Sequence, residues 1–204
     1  MKITAAFEGL KRIANGDYVL EGDLVSEEGI EIELDDRLVV RGKIVSKKHI
    51  KAGWGIEAGC GIKAGCGIKA GCGIKAGWGI EAGCGIKAGW GIKAGWGIEA
   101  GCGIKAGCGI KAGWGIEAGD GIEAGWGIEA GCGIKAGCGI EAGDGIEAGW
   151  GIEAKTYIHS ENRIFAGISL YHTSKDCAKT IKCAELRKGE ICYGELVIQK
   201  GEEV

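Results

Sequence analysis

Tryptophan, cysteine and aspartate, three side chains with very different chemistry, share one recurring position in this chain. The position is the centre of Gly-x-Gly in the hexapeptide Ile-(Lys or Glu)-Ala-Gly-x-Gly, which repeats from residue 50 to residue 154. Indole rings bind partners by stacking and burial, thiolates bind soft metal ions, and carboxylates accept hydrogen bonds. Because the position accepts all three, disulfide bridging cannot be a requirement of the repeat.

The seven tryptophans are the strongest candidates for a binding surface. Exposed aromatic side chains often mark the place where a protein partner docks. Glutamates at the second position of the hexapeptide add another candidate, an acidic face that could imitate DNA. The candidate partner-binding residues are Trp54, Trp78, Trp90, Trp96, Trp114, Trp126 and Trp150, together with Glu81, Glu99 and Glu117.

Catalytic and metal-binding patterns find little support in the sequence. Eight of the eleven cysteines occupy the repeat position, and no Cys-x-x-Cys pair occurs, so a tetrahedral metal site has no local ligand pattern. The three histidines, His49, His159 and His172, lack neighbours in sequence that would make a catalytic base. We expect free thiols, no metal, no cofactor and no enzymatic activity.

The charge balance bears on the kind of partner. The chain has 25 Lys and Arg against 28 Asp and Glu, a net charge of −3, whereas nucleic-acid binding requires a sustained positive surface. One face of a three-hexapeptide coil would begin positive and then reverse its sign, through Lys51, Lys69, Lys87, Lys105, Glu123 and Glu141. This mixture argues against nucleic acid and favours a protein partner.

The amino-terminal sequence indicates where the chain resides. It lacks the apolar run of a signal peptide, and no stretch approaches the roughly 20 apolar residues of a membrane span. We expect a cytoplasmic protein that makes no contact with a membrane.

The hexapeptide itself predicts the element that positions these side chains. Alternation along a short strand turns Ile and Ala to one face and Lys or Glu to the other. The Gly-x-Gly segment is typical of a corner, since glycine tolerates positive φ and has no side chain to clash. The central residue should point outward, because an interior site could not accept Trp, Cys and Asp alike. The sequence predicts an all-β, single-domain parallel β-solenoid.

Two coil sizes satisfy this pattern. A triangular coil of 18 residues would stack Trp78, Trp96 and Trp114, and would place Cys66, Cys84, Cys102, Asp120 and Cys138 on another corner. A flattened coil of 12 residues would gather more tryptophans on one edge, and it would also place opposite charges next to each other more often. Hexapeptide solenoids are generally triangular, so we favour 18 residues, with the 12-residue coil as the alternative and the handedness open.

Less regular segments flank the repeats. Residues 1–31 are predicted to form an amino-terminal cap, with a short helix over Ala5–Ala14 indicated by apolar residues at helical spacing. We assign the solenoid to residues 32–173, with its near-perfect part at 50–154, and a carboxy-terminal cap to residues 174–204.

The six-residue register extends beyond the perfect repeats. It begins at Ile32, Leu38 and Ile44, and it continues to Ile158, Ile164 and Leu170. Short strands are expected in the last segment at Thr180–Cys183 and Leu196–Gln199. A longer unit of 36 residues is copied about three times, so part of the order among Trp, Cys and Asp is inherited from duplication.

Three resemblances place the repeat among known solenoids. Left-handed hexapeptide acyltransferases share the six-residue period, but their motif has a small residue two positions before the aliphatic one, where this chain has Trp, Cys or Asp. The Ile-x-Ala cadence over residues 32–170 resembles that of bactofilins, which implies a right-handed triangular solenoid that polymerises end to end. Self-association is therefore an alternative role.

The third resemblance covers the repeats and the tail together. The repeat IEAGWGIKAG and the tail IFAGISLYHTSKDCAKTIKCAELRKGEICYGELV resemble hexapeptide solenoid proteins of phages and prophages. This resemblance implies a mobile-element origin. We expect a non-catalytic scaffold that binds a protein partner, such as a component of a host defence system, in the manner of an anti-CRISPR protein.

Overall fold

The computed structural model describes residues 1–167 and 179–199. Within them the chain forms 29 β-strands and no helix. In chain order the strands are β1 Lys2–Ile3, β2 Leu10–Arg12, β3 Tyr18–Leu20, β4 Leu24–Ser26, β5 Ile30–Ile32, β6 Leu38–Val40, β7 Ile44–Ser46, β8 Ile50–Ala52, β9 Ile56–Ala58, β10 Ile62–Ala64, β11 Ile68–Ala70, β12 Ile74–Ala76, β13 Ile80–Ala82, β14 Ile86–Ala88, β15 Ile92–Ala94, β16 Ile98–Ala100, β17 Ile104–Ala106, β18 Ile110–Ala112, β19 Ile116–Ala118, β20 Ile122–Ala124, β21 Ile128–Ala130, β22 Ile134–Ala136, β23 Ile140–Ala142, β24 Ile146–Ala148, β25 Ile152–Ala154, β26 Tyr157–Ala166, β27 Thr180–Cys183, β28 Glu185–Tyr193 and β29 Glu195–Ile198.

Strand pairing confirms the 18-residue coil. Each repeat strand pairs in parallel with the strand three further along, so that Ile62 lies opposite Ile80 and Ile80 opposite Ile98. The flattened 12-residue coil is not adopted. About nine coils stack into a solenoid with three faces, which we call face A (β8, β11, β14, β17, β20, β23), face B (β9, β12, β15, β18, β21, β24) and face C (β10, β13, β16, β19, β22, β25).

The core is a column of isoleucine and alanine. In the repeats the Ile side chains are fully buried and nearly all the Ala side chains are buried, while the Lys or Glu between them points out. Burial of apolar area contributes roughly 25 cal/mol per Å², and every coil repeats the same contribution. The predicted division between an inward Ile-x-Ala pair and an outward charge is confirmed.

The repeat glycines serve close backbone approach rather than a special backbone angle. The only glycines with positive φ in the described chain are Gly9, Gly16, Gly22, Gly167, Gly189 and Gly194, all outside the repeats. From Gly59 to Gly143, the first glycine of each corner lies against the preceding coil: a Cβ added to Gly95 would be 2.0 Å from the carbonyl oxygen of Gly77. The second glycine is less confined, since a Cβ on Gly97 would be 3.5 Å from the nearest oxygen.

The pattern of charges favours the 12-residue coil, which the structure does not adopt. Triangular coils place Lys69 opposite Lys87 and Lys87 opposite Lys105, and they stack glutamates in the same way on face C. Exposed like charges are screened by water and typically change stability by less than about 1 kcal/mol. The fit of Ile and Ala in the interior outweighs them.

The predicted amino-terminal helix over Ala5–Ala14 is wrong. This segment forms turns and then β2, which pairs antiparallel with β3, and Gly9 has a φ of 78° that no helix accommodates. Asn15-Gly16 closes this hairpin instead of ending a helix, as Asn-Gly commonly does between paired strands. The apolar residues Phe7 and Leu10 pack against the core from the turn region and from the start of β2, without a helix.

The register at the start of the solenoid also differs from the prediction. Ile30 pairs with Ile50 and Ile32 with Ala52, so Ile32 occupies the alanine position of its strand. Two extra residues then precede Leu38, which pairs with Ile56 as predicted. Parallel stacking begins earlier still, since β1 pairs in parallel with β5 and β3 with β6.

The carboxy-terminal strands extend the stack. Ile158 and Ile164 pair with Ile140 and Ile146, in the predicted register, while Leu170 lies outside the described residues. The strands β27 and β29 continue face C, and β28 covers β26. Two of the short strands expected from the sequence are therefore part of the solenoid stack.

A matched pair of glycine substitutions tests the close approach at the corner. Gly95→Ala should destabilise the protein by about 1 to 3 kcal/mol, because the new methyl group overlaps a backbone carbonyl that cannot move freely. Gly97→Ala, on the other side of Trp96, should leave the free energy of unfolding within about 0.5 kcal/mol of the wild type. Denaturation followed by circular dichroism measures both, and equal effects would contradict this role of the first glycine.

Candidate functional site

The tryptophan corner is the corner between faces B and C, whose central positions are Cys60, Trp78, Trp96, Trp114, Cys132 and Trp150. The backbone N–H of Trp96 donates to the carbonyl oxygen of Trp78 at 3.1 Å, and Trp114 donates to Trp96 at 3.2 Å. These bonds extend the coil-to-coil ladder into the corner. The three tryptophans are therefore aligned one above another, and their indoles point away from the core.

The three central indoles form a stack that faces solvent. Ring centroids are 5.8 Å apart between Trp78 and Trp96 and 5.7 Å apart between Trp96 and Trp114, with interplanar angles of 12° and 13°. The rings remain 55–61% exposed. Nearly parallel rings at this centroid distance are offset, so each leaves part of its face uncovered. The predicted outward orientation and the predicted stack are both confirmed.

Glu81, Glu99 and Glu117 form a second column beside the indoles. They lie at the centres of β13, β16 and β19, and each is directly opposite the next in the parallel register. In each repeat the Glu follows the Trp by three positions, with a buried Ile and a Gly between them. The indoles and carboxylates line the same open groove, which we call the Trp–Glu groove.

Lysines neutralise only the two ends of this acidic column. Lys63 Nζ lies 2.6 Å from Glu81 Oε1 and Lys135 Nζ lies 3.9 Å from Glu117 Oε1. Within residues 1–167 and 179–199, Glu99 forms no ion pair. The centre of the groove therefore combines exposed indole with a carboxylate that lacks a counter-charge.

The remaining tryptophans lie elsewhere. Trp54, Trp90 and Trp126 occupy the mixed corner between faces A and B, where Cys72 and Cys108 separate them. The indoles are thus two coils apart and do not stack. Lysines at the centres of β12, β15 and β18 border this corner together with Glu129 and Asp144, and Lys75 and Lys111 pair with Glu57 and Glu129, so its charges are mixed and largely paired.

Trp150 shares the tryptophan corner but not its stack. It is separated from Trp114 by Cys132, and it is the least exposed of the seven tryptophans at 37%. Both Trp150 and Cys132 have further contacts. The stack that faces the groove therefore consists of three of the seven predicted residues.

The cysteine corner between faces C and A contains exposed Cys66, Cys84, Cys102 and Cys138, with Asp120 among them. All ten cysteines of the described segments are free thiols. No cluster of three or more His, Cys, Asp or Glu in those segments has a geometry that could hold a metal ion. The corner presents exposed free thiols.

Sequence reasoning missed the lysines that border the acidic column. Lys63 and Lys135 were not candidates, because their significance depends on their distance from Glu81 and Glu117 across coils. Reading every eighteenth residue along face C would have found the run Lys63, Glu81, Glu99, Glu117 and Lys135. That reading requires the coil length to be known.

A scan of protein-family models and searches of the curated proteins and of the solved structures found no match to this chain. In the two described stretches, no helix has the length and apolar character needed to cross a membrane.

Thiol reactivity should separate the corner cysteines from Cys183. Cys183 is fully buried, and burial raises the pKa of its thiol, so the reactive thiolate is both scarce and inaccessible. In native protein treated with iodoacetamide, Cys183 should react roughly ten-fold or more slowly than the exposed cysteines of the repeats. Mass spectrometry of the tryptic peptide that starts at Cys183 measures this difference. A denatured sample provides the control, and equal labelling in native protein would contradict the burial.

Proposed function

We propose that this protein is a non-catalytic scaffold that binds a protein partner through its tryptophan corner. The observation that supports this proposal most directly is the stack of Trp78, Trp96 and Trp114, three adjacent indoles that remain more than half exposed. Where a tryptophan is a hot spot of a protein interface, replacing it with alanine weakens the binding free energy by several kcal/mol. Three on one edge form a compact anchor.

The rigidity of the solenoid suits this role. The backbone of the three tryptophans is held by hydrogen bonds between coils and their indoles stack on one another, so less conformational entropy remains to be lost on binding. The strands that present the face C glutamates are likewise held by pairing with neighbouring coils. A preorganised edge of this kind favours recognition of one partner surface over broad adhesion.

The finer proposal concerns the identity of the partner. The repeat IEAGWGIKAG and the tail resemble those of phage and prophage solenoid proteins, and small proteins from such elements often block host defences. We propose that the partner is a component of a bacterial defence system such as CRISPR, and that the protein acts in the cytoplasm. Blocking by occupation of a surface requires no catalytic residue.

Self-association is a second candidate role, favoured by the ends of face C. The strands β4 and β29 are the two edges of the ten-stranded sheet. On β29, Leu196, Val197 and Ile198 are exposed. An exposed apolar edge strand is a template for pairing with another chain. Concentration-dependent filaments would support this role.

Affinity capture from bacterial lysate tests the binding role. A partner captured by the wild type should be lost when Trp78, Trp96 and Trp114 are replaced with Ala, because the anchor is removed. Replacing Trp54, Trp90 and Trp126 with Ala deletes the same number of indoles from the mixed corner and should retain the partner. Circular dichroism of both variants controls for folding.

The outcome of this capture experiment also separates the candidate roles. Loss of the partner from both variants would contradict a specific role of the tryptophan corner. Identification of the captured protein as a defence component supports the finer proposal, and an unrelated protein contradicts it. Filaments without any captured partner would favour self-association.

A further inference from the structure

The Trp–Glu groove has a chemical character that specifies what enters it. Along its length, indoles on one side repeat in step with carboxylates on the other, since both follow the coil spacing of about 4.8 Å. The lysines at its two ends neutralise only the terminal glutamates. The groove thus offers aromatic faces and negative charge at the same places.

A carboxylate that is stacked between two others and lacks a counter-charge favours binding of a cation. Glu99 has glutamates on both neighbouring coils and forms no ion pair within the described part of the chain. Like charges directly opposite one another on a sheet are unfavourable. A cationic group placed between them would relieve this repulsion in addition to forming its own ion pairs.

The guanidinium group of arginine fits both sides of the groove. It is planar, it stacks on aromatic rings, and its fork of N–H donors matches the two oxygens of a carboxylate. Trp is the best aromatic partner for a cation, and the offset stack leaves part of each indole face uncovered. Lysine supplies the charge but lacks the planar surface.

The chain itself uses this combination elsewhere. The Arg12 guanidinium lies 5.2 Å from the ring centroid of Tyr18 and 3.2 Å from a carboxylate oxygen of Asp35. Arg187 lies 3.6 Å over the ring of Tyr157 and 3.1 Å from Glu185. In both places an acidic side chain and an aromatic ring hold one arginine. The Trp–Glu groove presents the same pair of groups with no arginine of its own.

Duplication does not account for the centre of the groove. The 36-residue unit has Cys-Gly-Ile-Lys at residues 60–63 and again at 132–135, on the same corner and face. The middle copy has Trp-Gly-Ile-Glu at residues 96–99 instead. These two differences, Trp96 and Glu99, complete the indole stack and the acidic column at once.

We propose that the Trp–Glu groove binds arginine side chains presented by the protein partner, with guanidinium groups against the indoles and hydrogen bonded to Glu81, Glu99 and Glu117. This inference rests on the proposed partner-binding function and names the chemistry of the partner surface. At the mixed corner cysteines separate the indoles, and Glu57 and Glu129 already pair with Lys75 and Lys111, so it lacks both the indole stack and the unpaired carboxylate that the groove presents.

A labelled hexa-arginine peptide tests the proposal by fluorescence anisotropy under reducing conditions. The wild type should bind it saturably, and more weakly as the ionic strength rises. The double variant W96C/E99K should bind roughly ten-fold more weakly, because it removes one stacking surface and reverses one charge. It should fold normally, since it restores the sequence Cys-Gly-Ile-Lys already present at residues 60–63 and 132–135.

Three comparisons define the specificity of this binding. W90C places on the mixed corner the cysteine already found there at Cys72 and Cys108, and it should leave the affinity for hexa-arginine within about two-fold. Hexa-lysine should bind several-fold more weakly than hexa-arginine to the wild type. Glu99→Gln, which keeps the indole stack, should lower the affinity by a smaller factor than the double variant.

Several results would overturn the proposal. Equal affinity for hexa-arginine and hexa-lysine would indicate attraction by charge alone, and an unchanged affinity of W96C/E99K would place the site elsewhere. Absence of saturable binding would also reject it. If hexa-arginine fails to bind but the captured partner still requires Trp78, Trp96 and Trp114, the binding function stands and only the arginine assignment fails.

Discussion

Contact between backbones at the first glycine of each corner is the constraint on which the rest of this structure depends. From Gly59 to Gly143, a Cβ at this position would lie only 1.8–2.1 Å from a carbonyl oxygen of the preceding coil. The N–H group of the same glycine donates to that coil, as Gly95 does to Ala76 at 3.1 Å. Because backbone occupies the space between coils at the corner, the next side chain can only point outward.

This constraint separates the core from the surface within each hexapeptide. Ile and nearly every Ala of the repeats are buried, whereas Trp, Cys, Asp, Lys and Glu vary at two outward positions without disturbing them. Even stacked lysines and stacked glutamates are accommodated, since exposed charges interact weakly. The surface of such a solenoid can therefore change by single substitutions while its stability, a sum of repeated local terms, is preserved.

The candidate site follows from the relation between two periods. The copied unit of 36 residues equals two coils of 18, so each copy returns its tryptophans to the same corners. Duplication alone would leave Trp78 and Trp114 apart, with a cysteine between them. Trp96 closes the stack and Glu99 closes the acidic column beside it. Both corners contain tryptophan and cysteine, but at the mixed corner cysteines separate the indoles and lysines are interspersed with acidic residues.

By itself the sequence determined the strand, the corner and the direction of each side chain, because these depend on contacts within one hexapeptide. The burial of Ile62 and Ala64 and the exposure of Trp78 follow from alternation and from the size of the residues. Only the tertiary structure decided which hexapeptides lie next to each other. Charge pattern favoured the wrong coil, and the helical spacing near Phe7 concealed a hairpin whose strand pairs with the edge of the first coil. Coil length is set by packing across the whole interior, which no pattern within one hexapeptide can report. The coil length in turn aligns Trp96 and Glu99 with their neighbours on the adjacent coils.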